Sequence, residues 1–120
     1  MDEMKSMQTV IQKFKALSDP NRLRIIQMLE IRPLCVCEIT DVLQLATSTV
    51  SKHLSILKDA GFVEDTKDGK WVNYALKDTN VTEFEKNILR LLKDELTDNN
   101  QITADREKIE TVDRFELCDT

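Results

Sequence analysis

The sequence of 120 residues is poor in residues that interrupt regular structure, with 2 Gly and 2 Pro. That scarcity leaves little room for low-complexity linkers, and the length predicts a single domain. No stretch approaches the roughly 18 to 20 apolar residues that a transmembrane helix requires. The first residues, MDEMKSMQTV, also lack the basic and apolar segments of a signal peptide. We therefore expect a cytoplasmic protein with no membrane partner.

Reactive side chains are also few, which argues against catalysis. The chain has no Gly-rich phosphate-binding loop, and a single His does not provide a plausible Cys/His/Asp catalytic set. We predict that the protein is not an enzyme and requires no cofactor. In a reducing compartment, three cysteines indicate metal or redox chemistry more than a disulfide framework.

The net charge of −5 is unevenly distributed: residues 1–17 carry +1, residues 18–77 carry zero and residues 78–120 carry −6. Because the acidity lies in the C-terminal third, the middle of the chain is able to form a local basic face. The overall charge argues against strong non-specific DNA binding, but it permits specific binding through a small patch.

Apolar spacing predicts four helices, a β-hairpin and a fifth helix. The helices cover residues ~5–17, Pro20 to Leu29 or Ile31, a short segment around residues 36–43, a segment from Thr47 or Ser48 to just before Gly61, and residues 81–96. The hairpin strands are FVEDT and KWVNYALK, with the turn signal Asp68-Gly69 between them. This order predicts a winged helix-turn-helix, a mainly α fold with a small β-hairpin (α+β).

Residues 1–96 form the predicted DNA-binding and dimerisation domain, and TDNNQ at 97–101 is read as a linker. Residues 97–120 are predicted to be an acidic C-terminal tail. Within this tail, Ile109, Val112 and Phe115 have the spacing of a short, weak helix.

The fourth predicted helix has two chemically different faces. At 100° per residue, Val50, Leu54 and Leu57 cluster on one side and are expected to pack inward. The opposite side carries hydroxyls and a cation, with no acid between Thr47 and Lys58. Such a face suits phosphates and base edges in the major groove, although a lone helix of this kind is also typical of a solvated surface.

The expected DNA contacts extend from this face to both ends of the motif. Gln44 and Thr47 lie where a helix N-terminus meets a phosphate, and Lys67 and Lys70 lie at the hairpin tip. For His53, phosphate contact and packing within the protein are equally open. The predicted DNA-binding residues are Gln44, Thr47, Ser48, Thr49, Ser51, Lys52, His53, Ser55, Lys67 and Lys70. The alternative to DNA binding is a winged helix that serves protein–protein contacts.

The segments ALSDPNRLRIIQML and LCVCEITDVLQLATSTVSKHLSILKDAGFVEDTKDGKWVNYAL resemble the ArsR-type family of metal-responsive repressors, from about residue 14 to residue 77. The resemblance implies a winged-helix homodimer that binds a palindromic operator and leaves it when an effector binds. It also implies a dimer interface formed by the first helix and the helix after the hairpin. The apolar stripes within 5–17 and 81–96 fit that role.

The resemblance extends to two cysteines in PLCVCEIT, residues 33–40. The arsenical-sensing branch of the family has Cys-Val-Cys followed by a third Cys three residues later. Here Cys35 and Cys37 match, but Thr40 occupies the third position. As(III) and Sb(III) prefer three thiolates, for which a hydroxyl is a poor substitute. Cys118 is the remaining candidate for the third ligand, unless a cellular thiol completes the site.

The spacing of the pair implies a mechanism. Residues two apart on a helix lie about 200° apart around its axis, so Cys35 and Cys37 cannot face one ion on an intact helix. Binding both therefore requires the first turn to unwind, which would weaken operator affinity by linkage.

The residues also leave effectors other than As(III) and Sb(III) open. Cd(II)- and Pb(II)-responsive relatives share Cys-Val-Cys, but they add cysteines near the N-terminus, and residues 1–34 contain none. Zinc-type relatives use His on the helix after the wing, and residues 81–96 contain no His. A thiol-redox switch would use Cys35 with Cys37, or one of them with Cys118. The alternative to sensing is that Cys35 and Cys37 are two small apolar residues buried in the core.

Overall fold

The computed structural model describes residues 3–112, without the side chains of residues 3–6. Along these residues, the elements in chain order are helices α1 (Glu3–Leu17) and α2 (Pro20–Leu29), strand β1 (Leu34–Cys35), helices α3 (Val36–Leu43) and α4 (Thr47–Asp59), strands β2 (Val63–Asp68) and β3 (Trp71–Leu76), and helices α5 (Glu83–Leu96) and α6 (Asn100–Thr111). The predicted winged helix-turn-helix order is confirmed. Strand β1 is additional.

Local chemistry explains where the helices begin. The Asp19 carboxylate accepts hydrogen bonds from the N–H groups of Asn21 and Arg22, and Pro20 occupies the first turn of α2. At the start of α5, the Thr82 hydroxyl accepts from the Glu85 N–H, while the Glu85 carboxylate accepts from the Thr82 N–H. These reciprocal bonds satisfy N–H groups that the helix itself cannot pair.

Strands β2 and β3 form the predicted hairpin, with Asp68 paired to Trp71 across a two-residue turn. Gly69 in this turn has φ of 61°, which explains the glycine. Strand β1 adds to the other edge of β3, with Leu34 opposite Tyr74 and Cys35 opposite Asn73. The sequence did not indicate β1, because two residues are too short to produce an alternating pattern.

The hydrophobic core lies between α2, α3, α4 and the base of the sheet. Its fully buried members include Ile25, Ile39, Leu54 and Phe62, and Tyr74 packs against its margin. Tyr74 is thus the hairpin aromatic that contributes to the core. None of the helices in the described range is both long and apolar enough to span a bilayer.

The fold revises the predicted C-terminal boundary. The short, weak helix expected at residues 109–115 is instead α6, which begins at Asn100 and packs against α2 and α3. Ile102 and Ile109 are buried, and the Arg24 guanidinium forms two hydrogen bonds of 2.8 and 2.9 Å with the buried Asp105 carboxylate. Residues 100–112 therefore belong to the folded domain. Phe115 lies outside the described residues.

Candidate nucleic-acid interface and thiol site

The helix-turn-helix is formed by α3 and α4, joined at Gln44, whose φ of 57° ends α3 in a left-handed conformation. Val50, Leu54 and Leu57 are fully buried, as the helical period predicted. This packing turns the opposite face of α4 to solvent. Within α3, α4 and their turn, the exposed members of the predicted DNA-binding set are Gln44, Thr47, Ser48, Thr49, Ser51, Lys52 and Ser55. We call Thr47, Ser48, Thr49, Ser51, Lys52 and Ser55 the recognition surface.

The hairpin presents its two predicted lysines to solvent at the end of the wing. Lys67 lies on β2, and Lys70 lies in the turn with its ammonium 4.9 Å from the centre of the Trp71 ring. Such a cation–π contact holds the Lys70 side chain along the hairpin. Both side chains are exposed, so they place two cations at the tip of the wing.

His53 is half-buried at the edge of the recognition surface. It contacts Arg22, which is not among the predicted DNA-binding residues. The Arg22 guanidinium donates from Nη1 to His53 Nδ1 at 3.1 Å. Arg22, His53, Lys52, Ser48, Thr49 and Ile56 line one open cavity of about 620 Å³. Only the fold brings Arg22 to α4, since 31 residues separate it from His53.

Cys35 lies at the junction of the sheet and α3. It pairs with Asn73 as the last residue of β1, and it is also the N-cap residue of α3. The side chain is buried, with 2% of its surface exposed. Burial raises the pKa of the Cys35 thiol, because the thiolate loses solvation. In this conformation, Cys35 is a protonated, inaccessible thiol.

A buried carboxylate holds the start of α3 in place. The Cys35 N–H donates to Glu38 Oε1 at 3.0 Å, and Arg32 Nη2 lies 3.1 Å from Glu38 Oε2. The same Arg32 nitrogen donates to the carbonyls of Ile109 and Val112 at the end of α6. Arg32 therefore connects the cap of α3 to the C-terminal end of α6, and no local sequence pattern indicates this link.

Cys37 is half-buried on the first turn of α3 and lines a second, polar cavity of about 560 Å³. Thr40 lines the same cavity, and its hydroxyl donates to the Cys37 carbonyl at 2.8 Å. Cys37 is disulfide-bonded, whereas Cys35 keeps its thiol, so the two are not bonded to each other.

The two cysteines therefore lie in different environments: Cys35 is in the protein interior, and Cys37 lines the second, polar cavity. No group of three or more His, Cys, Asp or Glu side chains within the described range is arranged to hold a metal ion. Cys118, the predicted third ligand, lies outside the described residues. Joint ligation by Cys35 and Cys37 requires a rearrangement of the β1–α3 junction.

Residues 19–65 match the model of a family described as bacterial regulatory protein, arsR family. An HTH-type transcriptional regulator of Methanocaldococcus jannaschii is 42% identical over 69% of this chain and 94% of its own length. An arsenical resistance operon repressor of Bacillus subtilis is 39% identical over 68% of this chain and 80% of its own. A cadmium resistance regulatory protein of Staphylococcus aureus is 40% identical over 62% of this chain and 63% of its own.

Solved structures show the same architecture. Reduced HlyU from Vibrio cholerae superposes with a TM-score of 0.64 at 31% identity, over 79% of this chain and 97% of that one. A homodimeric winged helix-turn-helix DNA-binding domain from Mycobacterium bovis gives a TM-score of 0.66 at 22% identity, over 83% of this chain and 91% of that one, and supports the fold.

Proposed function

This chain belongs to the arsR family of bacterial regulatory proteins, and we propose that it is a homodimeric repressor of a metal(loid)-resistance operon. In this proposal, it binds operator DNA through α4 and the wing, and it leaves the operator when As(III) or Sb(III) binds the thiolates of Cys35 and Cys37. The observation that carries the proposal is the position of Cys35, which belongs to the wing sheet and also caps α3.

The chemistry of the two cysteines fits a soft, thiophilic ion, which forms strong bonds to sulfur. For Cys35 to become a ligand, its thiol must lose a proton and leave the core. That movement breaks the pairing of Cys35 with Asn73 and the hydrogen bond from its N–H to Glu38. A third sulfur is needed, and we propose Cys118 or a cellular thiol for that position.

Release from DNA follows from linkage. The ligand-bound form requires an opened β1–α3 junction, whereas the recognition surface is positioned by α3 packed on α4 and by β1 paired with the wing strand β3. An effector that binds only the opened form shifts the population towards it. Operator affinity falls by the same factor by which DNA weakens effector binding.

A two-fold dimer is supported by apolar surface that the monomer leaves uncovered. Phe14 on α1 and Phe84 on α5 make an edge-on contact with ring centres 6.1 Å apart, and both are exposed. Exposed apolar side chains continue along both helices; they are Met7, Val10, Ile11 and Leu91. A contiguous surface of this kind indicates a protein interface. We assign it to a second copy of this chain.

The DNA-binding part is tested by a gel-shift assay with DNA from upstream of the chain's own operon. We expect Lys52→Glu to abolish the specific shift, because a charge reversal in the recognition surface repels phosphate. Lys86→Glu makes the same change at an exposed position on α5, and we expect near wild-type binding. Equal binding by Lys52→Glu and wild type would exclude α4 from the role proposed for it.

The effector is tested with arsenite, antimonite, cadmium and lead in the presence of a phosphine reductant, which does not compete as a thiol. We expect arsenite and antimonite to release the wild-type protein from DNA. Cys35→Ser and Cys37→Ser should each bind DNA and ignore both. Cys118→Ser decides whether the third ligand comes from the chain. Release by cadmium or lead alone would assign the alternative effector instead.

Thiol-redox sensing is the second candidate, favoured by the disulfide at Cys37. Two thiols become a disulfide by giving two electrons and two protons to an oxidant such as hydrogen peroxide, which is reduced to water. This function predicts that peroxide releases the operator and that the reductant restores binding, with arsenite having no effect.

A further inference from the structure

The Arg22 side chain is fixed between the end of α1 and helix α4. Its Nε donates to the Ala16 carbonyl at 2.6 Å, and its Nη2 donates to the Lys15 carbonyl at 3.2 Å. With these two bonds made, Nη1 points to α4 and lies 3.1 Å from His53 Nδ1. The backbone of Arg22 is also held, because its N–H donates to the Asp19 carboxylate.

This contact determines which nitrogen of His53 carries the proton. A guanidinium has five N–H donors and no acceptor, so the imidazole nitrogen facing it must accept. Nδ1 is therefore unprotonated, and a neutral ring then carries its proton on Nε2. Neither the Nδ1–H tautomer nor the imidazolium is able to accept the Arg22 hydrogen bond.

The surroundings of His53 suit an anion. The cavity that it shares with Arg22 is lined by the cation of Lys52 and the hydroxyls of Ser48 and Thr49, with Ile56 as the apolar member. Among the residues that the structure describes, none of those lining this cavity carries a carboxylate. Ser48, Thr49 and Lys52 belong to the recognition surface, so an anion here would be part of the bound DNA.

We propose that His53 donates its Nε2–H to a backbone phosphate of the operator, and that Arg22 is the positioning residue that fixes this tautomer. The proposal rests on the DNA-binding function proposed above. Arg22 acts through His53 and does not itself neutralise a phosphate. This assigns a role to Arg22 and chooses between the two roles left open for His53 by the sequence.

Two substitutions at residue 53 separate donation at Nε2 from simple packing. The amide nitrogen of glutamine reaches about as far as Nε2, whereas that of asparagine reaches only about as far as Nδ1. We expect His53→Gln to bind the operator within about 3-fold of wild type, and His53→Asn to bind about 10-fold or more weakly, as for loss of a hydrogen bond to a charged group. Equal affinity of both variants and wild type would overturn the proposal.

The tautomer is measurable directly because the chain has 1 His. Long-range ¹H–¹⁵N NMR of the full chain labelled with ¹⁵N-histidine therefore shows one imidazole. We expect a protonated Nε2 and an unprotonated Nδ1 at neutral pH in the wild type, and a mixture of tautomers in Arg22→Met. A protonated Nδ1 in the wild type would contradict the proposal, and this readout needs no folded variant.

Salt dependence distinguishes positioning from direct contact by Arg22. The slope of log K against log salt concentration is negative, and each neutralised phosphate makes it steeper by about 0.9. We expect Arg22→Met to weaken binding with an unchanged slope, and Lys52→Met to make the slope shallower by about one. A shallower slope in Arg22→Met would make Arg22 a phosphate ligand instead. If the wild type fails to bind, the proposed function fails; if it binds while the His53 variants match it, only this inference fails.

Discussion

At the scale of single residues, Cys35 combines three properties that are seldom compatible in a reactive thiol. It pairs within a sheet, caps a helix and is buried. Buried thiols are unreactive because the thiolate is poorly solvated. The site is therefore closed until the β1–α3 junction opens, and this is consistent with a sensor whose ligand selects a minor conformation.

The burial of Cys35 predicts a dependence of stability on alkaline pH. Its pKa is raised above the ordinary value of 9.0, so the unfolded chain releases this proton at a lower pH than the folded chain. The stabilising contribution is complete below pH 9 and is lost as pH rises through the folded-state pKa. We expect the free energy of unfolding of the reduced protein to fall above pH 9, by at most about 1.4 kcal/mol per pH unit from this group.

Urea denaturation between pH 7 and pH 10 measures this effect. Cys35→Ala lacks the titrating group, so its stability should decline less steeply than that of the reduced wild type over the same range. Parallel curves for the two proteins would show that the Cys35 thiol is not buried in the folded state.

At the scale of secondary-structure elements, α6 joins α2 to α3. The Arg24–Asp105 pair connects it to α2, Arg32 connects its end to the cap of α3, and Lys108 donates to the Asp41 carbonyl on α3 at 3.2 Å. A helix that contacts both α2 and α3 restrains the opening of the cysteine site. The cost of opening the β1–α3 junction therefore includes contacts with α6.

The burial of α6 is tested by two isoleucines. Ile109 is 0% exposed, whereas Ile31 is 39% exposed. We expect Ile109→Ala to lower the free energy of unfolding by about 2–4 kcal/mol, because it leaves a cavity in the core. Ile31→Ala makes the same chemical change at the surface and should cost well under half as much. Similar small losses for both variants in urea denaturation would mean that α6 is not part of the core.

At the scale of the whole molecule, Lys13 connects the proposed dimer surface to helix α4. Its ammonium lies 3.0 Å from Glu85 on α5, and it donates to the carbonyl of Ala60, the C-cap of α4, at 2.6 Å. Gly61 makes this approach possible, because a Cβ there would lie 2.8 Å from Glu85 Oε2. The pair therefore fixes α4 relative to α1 and α5. In the proposed dimer, this contact would set the spacing between the two copies of α4.

The Lys13–Glu85 pair predicts acid sensitivity. Burial alone would raise the pKa of Glu85, but hydrogen bonds from Thr82 and Lys13 outweigh it and lower the pKa below the ordinary value of 4.5. Its stabilising contribution is therefore complete above pH 4.5 and is lost as pH falls through the folded-state pKa. We expect Glu85→Gln to cost about 1.5–3 kcal/mol at pH 7, and we expect the difference from wild type to shrink as the pH falls below 4.5. Urea denaturation of both proteins at a series of pH values measures this difference in the free energy of unfolding. A difference that stays constant as the pH is lowered would contradict the proposed ion pair.

The proposed dimer predicts that Leu91→Glu, at a side chain that is 63% exposed, produces a monomer. Burying a carboxylate in an apolar interface is unfavourable, and operator affinity should fall with dimerisation. Sedimentation equilibrium measures the first effect and gel shift the second. Ile31→Glu, at another exposed apolar residue, is the control that should stay dimeric. A dimeric Leu91→Glu would move the interface away from α5.

Most of the fold was predictable from the sequence, because α1 to α5 and the hairpin each have a local pattern. Pro20 marks the start of α2, Val50, Leu54 and Leu57 give the inward face of α4, and Asp68-Gly69 marks the hairpin turn. Helical and strand periods are properties of neighbouring residues. The exposed hydroxyls and Lys52 of α4 follow from the same period.

The tertiary structure alone decided the contacts between distant segments. Strand β1 exists because β3 offers an open edge, and α6 is fixed by pairs such as Arg24 with Asp105, which are 81 residues apart. The contacts of Arg22 with His53 and of Arg32 with the Val112 carbonyl likewise depend on how the helices pack. Such contacts leave no periodic signal, because one residue of each pair carries no information about the other. The sequence determined α1 to α5, the hairpin and the cysteine pair, because each has a local pattern. Packing determined that Cys35 lies between the wing and α3.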